Sequence, residues 1–187
     1  MRRLRAECPW KREQTHRSLA RYLLEEAYET VEALDAGDDA HLQEELGDLL
    51  LQVVFHAVIA EQRGAFDLDD VARGITEKMR RRNPHVFGDP AERPAEGLDA
   101  EAVNDLWQQL KGAEKARTAV EEGVPLALPA LLYADKVLDR LERAGRPVEV
   151  AAGSADLGER LLALVAEARA SGADPEQSLR EAVRRRL

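Results

Sequence analysis

Cysteine is almost missing: Cys8 is the only one in 187 residues. A disulfide scaffold is thereby excluded, and a reducing, cytoplasmic setting is expected. Long apolar runs are missing too. Nothing approaches the ~18–20 consecutive apolar residues of a membrane span, so no membrane partner is expected. The amino terminus, Met1-Arg2-Arg3-Leu4-Arg5, has basic residues with no apolar stretch behind them, unlike a secretory signal. An excess of positive charge is absent: 36 acids face 27 Lys and Arg, a formal net charge of −9. Wrapping a nucleic-acid polymer is therefore not the expected role, although a local basic patch could hold a small anion. Runs of alternating β-branched residues are lacking as well, so the expected fold class is all-α.

What is present is helical periodicity. The spacing predicts helices over about 15–34, 39–63 and 68–82. Gly37 with Asp38 and Asp39 makes the first stop, Gly64 the second, and Asp67 caps the third. Asn83-Pro84 breaks the pattern, and 83–98 reads as a loop rich in Pro, Gly and charge. Further helices are expected over about 101–119, 129–144, 156–171 and 175–186. The predicted division is a catalytic helical domain over 1–122 and a shorter helical region over 123–187. Residues 45–54 and 156–165 resemble each other, and each is followed by a Gly turn and an Asp-initiated helix. The repeated order favours a degenerate duplication over chance similarity.

Between Glu25 and Asp48 lie ten acids and no Lys or Arg. A charge run is ordinarily a solvated face. Four of these acids argue otherwise by position. Glu26 and Glu29 are three residues apart on one helix face, and Glu26 lies on the apolar side defined by Leu19 and Leu23. Glu45 and Asp48 form a second such pair on the next helix. Two antiparallel helices with a short turn would set four carboxylates face to face. That arrangement is untenable without a cation, and an all-oxygen set suits Mg²⁺ or Mn²⁺. A di-iron bundle needs Glu-x-x-His on facing helices, and none of His16, His41, His56 or His85 supplies it.

Five motifs, in order, resemble the MazG nucleoside triphosphate pyrophosphohydrolases. They are Cys8-Pro9-Trp10 with Glu13-Gln14-Thr15, Glu25-Glu26-Ala27-Tyr28-Glu29 with Glu45-Leu46-Gly47-Asp48, Arg80 to Phe87, Leu106 to Lys111, and Leu128-Pro129-Ala130-Leu131. The resemblance implies a helical bundle, usually assembled as a homodimer with helices shared between chains. It implies Mg²⁺-dependent hydrolysis of a nucleoside triphosphate to the monophosphate and diphosphate, in nucleotide-pool house-cleaning. Carried over by position, the metal ligands would be Glu26, Glu29, Glu45 and Asp48. Lys78, Arg81 and Arg82 would touch phosphates, and Trp107 the nucleotide. Two departures stand out. Lys11 replaces the usual Asp after Cys8-Pro9-Trp10. The second half carries Asp156 and Glu159 but no preceding Glu-Glu-x-x-Glu helix, so it is expected to bind no catalytic metal and to serve packing or dimerisation.

The implied catalytic set is Glu25, Glu26 and Glu45, with Glu25 or a metal-holding carboxylate accepting the proton of the attacking water. Glu25 sits ~100° around the helix from Glu26 and could instead face solvent. The Lys78, Arg81 and Arg82 group would stabilise the leaving diphosphate, or simply complement a helix carboxyl end. Trp107 could stack on a base or fill the core; Trp10 reads as a packing anchor and Cys8 as a small buried residue. His56 could support the acids from two turns beyond Asp48 or be a satisfied core histidine, and His85 could reach a phosphate. Narrower dUTP or phosphoribosyl-ATP pyrophosphatases share the acidic core but fit the outer motifs less well. A non-catalytic interaction module would gain nothing from the clustered acids.

Overall fold

The computed structural model describes residues 1–89, 97–114 and 119–187, and every regular element among them is a helix. The chain divides into two compact units, Met1–Lys111 and Gly112–Leu187.

The first unit is organised by an antiparallel helix pair, α3 (His16–Ala36) and α4 (Asp39–Glu61), after two short helices, α1 (Arg2–Glu7) and α2 (Pro9–Glu13). Local chemistry sets the ends of the pair. Thr15 and Ser18 form a reciprocal capping box at the start of α3. Gly37 closes α3 at φ 68°, a left-handed conformation that a Cβ disfavours, and Asp38 then caps α4 by accepting from the amides of Ala40 and His41. Two residues thus turn the chain back on itself. Leu19 packs on Phe55 and Ile59, with Met1 and Tyr22 at the margin. Ala33, Ala57 and Ala60 are fully or almost fully buried, and such small side chains permit close helix approach. Thr30 is buried as well, and its hydroxyl donates to the Glu26 carbonyl at 2.7 Å.

The helices α1 and α2 were not expected from the sequence, being too short to show a period. Arg5 holds them. It is buried, and it donates to the carbonyls of Lys11 and Gln14 at 2.6 and 2.8 Å and to the Gln62 side chain at 2.7 Å. Its guanidinium lies 5.8 Å from the Phe55 ring centroid. Lys11 sits over both Trp10 and Phe55, and Trp10 meets Tyr22 edge-to-face, as a packing anchor would. Cys8 is only partly buried.

Helix α5 (Leu68–Arg82) opens on an Asp67–Asp70 capping box, as the sequence predicts. The segment expected to be loop over 83–98 begins with a one-turn helix, α6 (Pro84–Phe87). Proline is tolerated at a first helical position because its missing N–H has no intrahelical partner there. Residues 90–96 lie outside the described residues. Helix α7 (Ala100–Ala113) ends earlier than the expected 119, directly after Gly112, whose helix preference is poor; residues 115–118 of that expectation also lie outside the description.

The second unit contains α8 (Ala130–Arg143), α9 (Leu157–Ala170) and α10 (Pro175–Arg184), close to the predicted spans. Leu138, Ala163 and Val165 are buried in it, and Arg169 ties α9 to α8 through Asp135, Asp139 and Glu142. Asp156 caps α9 by accepting from the Glu159 amide. Glu45, its counterpart in the internal similarity, lies within α4, so the two acids are not structurally equivalent. No described helix is long and apolar enough to cross a membrane.

One polar contact locks the far end of the α3–α4 pair. The Nδ1 atoms of His16 and His56 are 2.7 Å apart with the rings parallel, and Arg63 donates to His16 Nε2 at 3.0 Å. Burial, and then the neighbouring His16, holds His56 below the ordinary imidazole value of 6.5. The unfolded chain therefore binds a proton near 6.5 that the folded chain refuses until lower pH. The stability this represents is complete above 6.5, erodes as pH falls below it, and is lost once folded His56 titrates. The melting temperature should fall as pH drops through that window, and the fall should be shallower in His56→Phe. Equal slopes by calorimetry in the two proteins would refute this.

Candidate metal centre

Three carboxylates meet where α3 faces α4. Glu26, Glu29 and Glu45 each present an oxygen, and these atoms all lie within 4.8 Å of one another. Among the described residues this is the one group of three or more acid, His or Cys side chains so gathered. Glu26 and Glu29 come from successive turns of α3. Glu45 comes from α4 and is only 9% exposed, so it forms the inner wall. The structure does not bring the fourth expected ligand, Asp48, into that group. Asp48 is half-buried one turn beyond Glu45, close enough for its charge to act on Glu26. Glu25 is exposed and outside the group.

Burial of Glu26 raises its carboxyl above the usual range, and the charges of Asp48, Glu29 and Glu45 raise it further; only a hydrogen bond from Gln52 opposes them. The cluster thus has negative charge facing negative charge in a partly desolvated place. This fits a hard divalent cation, which takes carboxylate oxygens and relieves both penalties.

Two neighbours escape a search confined to carboxylates. His41 Nε2 lies 3.0 Å from Glu45 Oε1, and Gln52 Nε2 donates to Glu26 Oε1 at 3.2 Å. The signal for both is the helical turn: His41 precedes Glu45 by four residues, and Gln52 follows Asp48 by four. Each fixes the orientation of one acid.

The basic residues divide. At the end of α5, Lys78 is half-buried and Arg81 exposed, whereas Arg82 is buried with its guanidinium 5.1 Å from the Trp107 ring centroid. Lys111 lies 4.9 Å from the same ring. Trp107 therefore serves at least as a platform for two cations within its own unit. His85 is partly buried on α6, with its Nδ1 unpaired among protein atoms.

The sequence is similar to known nucleotide pyrophosphohydrolases. Residues 14–87, which contain all five acids discussed, match the model of the MazG nucleotide pyrophosphohydrolase domain. A 26.1 kDa protein of Streptomyces cacaoi is 46% identical over 97% of this chain and 74% of its own length. The nucleoside triphosphate pyrophosphohydrolase/pyrophosphatase MazG of Thermotoga maritima is 39% identical over 95% of this chain and 75% of its own. A nucleoside triphosphate pyrophosphohydrolase of Mycobacterium tuberculosis is 44% identical over 80% of this chain but only 45% of its own length. The chain thus spans three quarters of some relatives and about half or less of others. A crystal structure of a mazG-related protein from Thermotoga maritima aligns with 28% identity and a TM-score of 0.48, over 58% of this chain and 90% of that one. With 39% identity over three quarters of a MazG protein's length, the chain belongs to the MazG nucleotide pyrophosphohydrolase family.

Proposed function

We propose that this chain hydrolyses nucleoside triphosphates between the α and β phosphates, releasing the monophosphate and diphosphate, in a reaction that depends on Mg²⁺ or Mn²⁺. The observation that carries this reading is the convergence of Glu26, Glu29 and Glu45. These three would hold the ion, with Asp48 as the adjoining fourth ligand. When bound, the ion would offset the charge of the acids and the triphosphate and would supply Lewis acidity.

The remaining work falls to the chain. Water attacks the α-phosphorus, a new P–O bond forms, and the bond from that phosphorus to the bridging oxygen breaks. The electron pair leaves with diphosphate. Glu25, exposed beside the cluster, takes the water's proton. Lys78 and Arg81, at the carboxyl end of α5, stabilise charge on the departing diphosphate. Arg82 is buried beside Trp107, so it acts by holding that ring, which would meet the nucleotide. His41 and Gln52 keep Glu45 and Glu26 turned inward.

A second copy of the chain is the proposed occupant of an apolar stripe on α4. Leu46, Leu50 and Val53 follow one another at helical spacing and are 50%, 59% and 38% exposed. They lie on the helix that also carries Glu45 and Asp48, so a homodimer joined there would build its interface onto the back of the site.

A panel of ribo- and deoxynucleoside triphosphates, dUTP and phosphoribosyl-ATP, with products identified, tests the reaction. Several triphosphates should yield monophosphate and diphosphate with Mg²⁺ or Mn²⁺. Glu45→Ala should lower turnover by at least about 100-fold while keeping its helical content. Millimolar Mg²⁺ should raise the wild-type melting temperature by about 5 °C, as expected for a ligand well above its Kd. Undiminished activity in Glu45→Ala would refute the metal assignment. Sedimentation should give a dimer for the wild type and a monomer for Leu50→Glu; a monomeric wild type at micromolar concentration would refute the shared interface.

A further inference from the structure

We propose that Arg63, His16, His56 and Gln52 form a one-directional chain of hydrogen bonds that positions Glu26 for the divalent ion. The proposal rests on Glu26 being a metal ligand, as set out above.

The direction follows from which groups can only donate. Arg63 has no acceptor, so at 3.0 Å its Nη2 donates and His16 Nε2 must accept. Neutral His16 therefore carries its proton on Nδ1. That nitrogen is 2.7 Å from His56 Nδ1, which must in turn accept. His56 is thereby fixed with its proton on Nε2. This Nε2 is buried and meets no protein acceptor. At the other end, Gln52 uses its amide nitrogen on Glu26 Oε1. Its own Oε1 is buried without a donor, on a residue only 5% exposed.

The two orphaned atoms are complementary. One is a donor and the other an acceptor, and they belong to residues four apart on α4, which are neighbours on one helix face. Their other atoms are drawn apart. Gln52 reaches toward Glu26, nearer the Gly37 turn, while His56 reaches toward His16 at the far end of α3. Buried polar groups of this kind are nearly always satisfied, and one bridging water between His56 Nε2–H and Gln52 Oε1 satisfies both. Every link then points the same way: Arg63 to His16, His16 to His56, His56 to Gln52, Gln52 to Glu26. Aligned hydrogen bonds polarise one another, and this polarity favours an ionised Glu26. It also prevents the Gln52 amide from flipping, which would set its oxygen against the carboxylate. Protonating either histidine would set a donor against a donor and break a link. The His pair is thus a positioning device for Glu26, acting through Gln52.

Imidazole nitrogen shifts by NMR on the full chain, at mildly alkaline pH, read the tautomers without any variant. The expected result is a proton on Nδ1 of His16 and on Nε2 of His56; a proton on Nδ1 of His56 would overturn the chain. Mn²⁺ binding, followed by electron paramagnetic resonance or calorimetry without nucleotide, tests the coupling. His56→Phe and Gln52→Leu should each weaken Mn²⁺ binding by about 10-fold. The double variant should be no weaker than Gln52→Leu alone, since His56 acts only through Gln52. His56→Gln, whose amide can accept from His16 and donate onward, should recover most of the loss. Additive losses, or normal binding by His56→Phe beside a binding wild type, would overturn the proposal alone. A wild type that binds no Mn²⁺ would overturn the metal centre and this role together. The NMR measurement still decides the chain's direction if His56→Phe does not fold.

Discussion

Leu19 against Phe55 and Ile59 sets the pairing of α3 with α4, and that pairing holds three acids together against their own repulsion. Two unit charges 4 Å apart repel by about 4 kcal/mol at an effective dielectric near 20. Burying one large aliphatic or aromatic side chain contributes about 1.5–3 kcal/mol. Apolar packing of this size can keep carboxylates in company but cannot make them comfortable. The carboxyl of Glu26 is raised by its burial first and by those neighbouring charges second. A cation held there would relieve that repulsion, and its binding energy would then become part of the stability of the pair.

The surroundings divide the labour among elements. From α1, Arg5 fastens α2 and the end of α4 by donating to the open carbonyls of Lys11 and Gln14 and to the Gln62 side chain. Lys11, where the family resemblance leads one to expect Asp, rests on the aromatic rings of Trp10 and Phe55. The exchange of charge at this position is thus accommodated by π-faces. Arg82 and Lys111 use Trp107 in the same manner. Scarce aromatics are spent on cations in this chain as much as on the core.

The long helices were readable because their apolar residues recur over many turns and several of their ends carry explicit punctuation: Gly37, Asp38, Gly64, Asp67. The short ones, α1, α2 and α6, run for too few residues to show a period, and Pro9 and Pro84 look like breaks when they are in fact first helical positions. Glu26, Glu29 and Glu45 were legible from spacing on two helices joined by a short turn. Asp48 was drawn toward the same face by the same rule, yet side-chain length and orientation, which spacing does not encode, leave it outside the tightest group. His41 and Gln52 were hidden for a different reason: a side-chain hydrogen bond, along one helix for His41 and across the pair for Gln52, depends on the rotamer as well as the register. Arg82 looked like its neighbour Arg81, yet the fold buries the first beside Trp107 and leaves the second exposed.

The connection between α3 and α4 is just Gly37 and Asp38, and it has no slack. Helical phase is therefore carried across the bend without loss. One residue added between Asp38 and Glu45 would swing Glu45 by ~100° around its axis, out of the cluster, whereas three or four added residues would return it to nearly the same azimuth one turn farther along. In this stretch the chain should drift in composition more readily than in length, so that the interval between the bend and the inner acid is itself an inherited quantity.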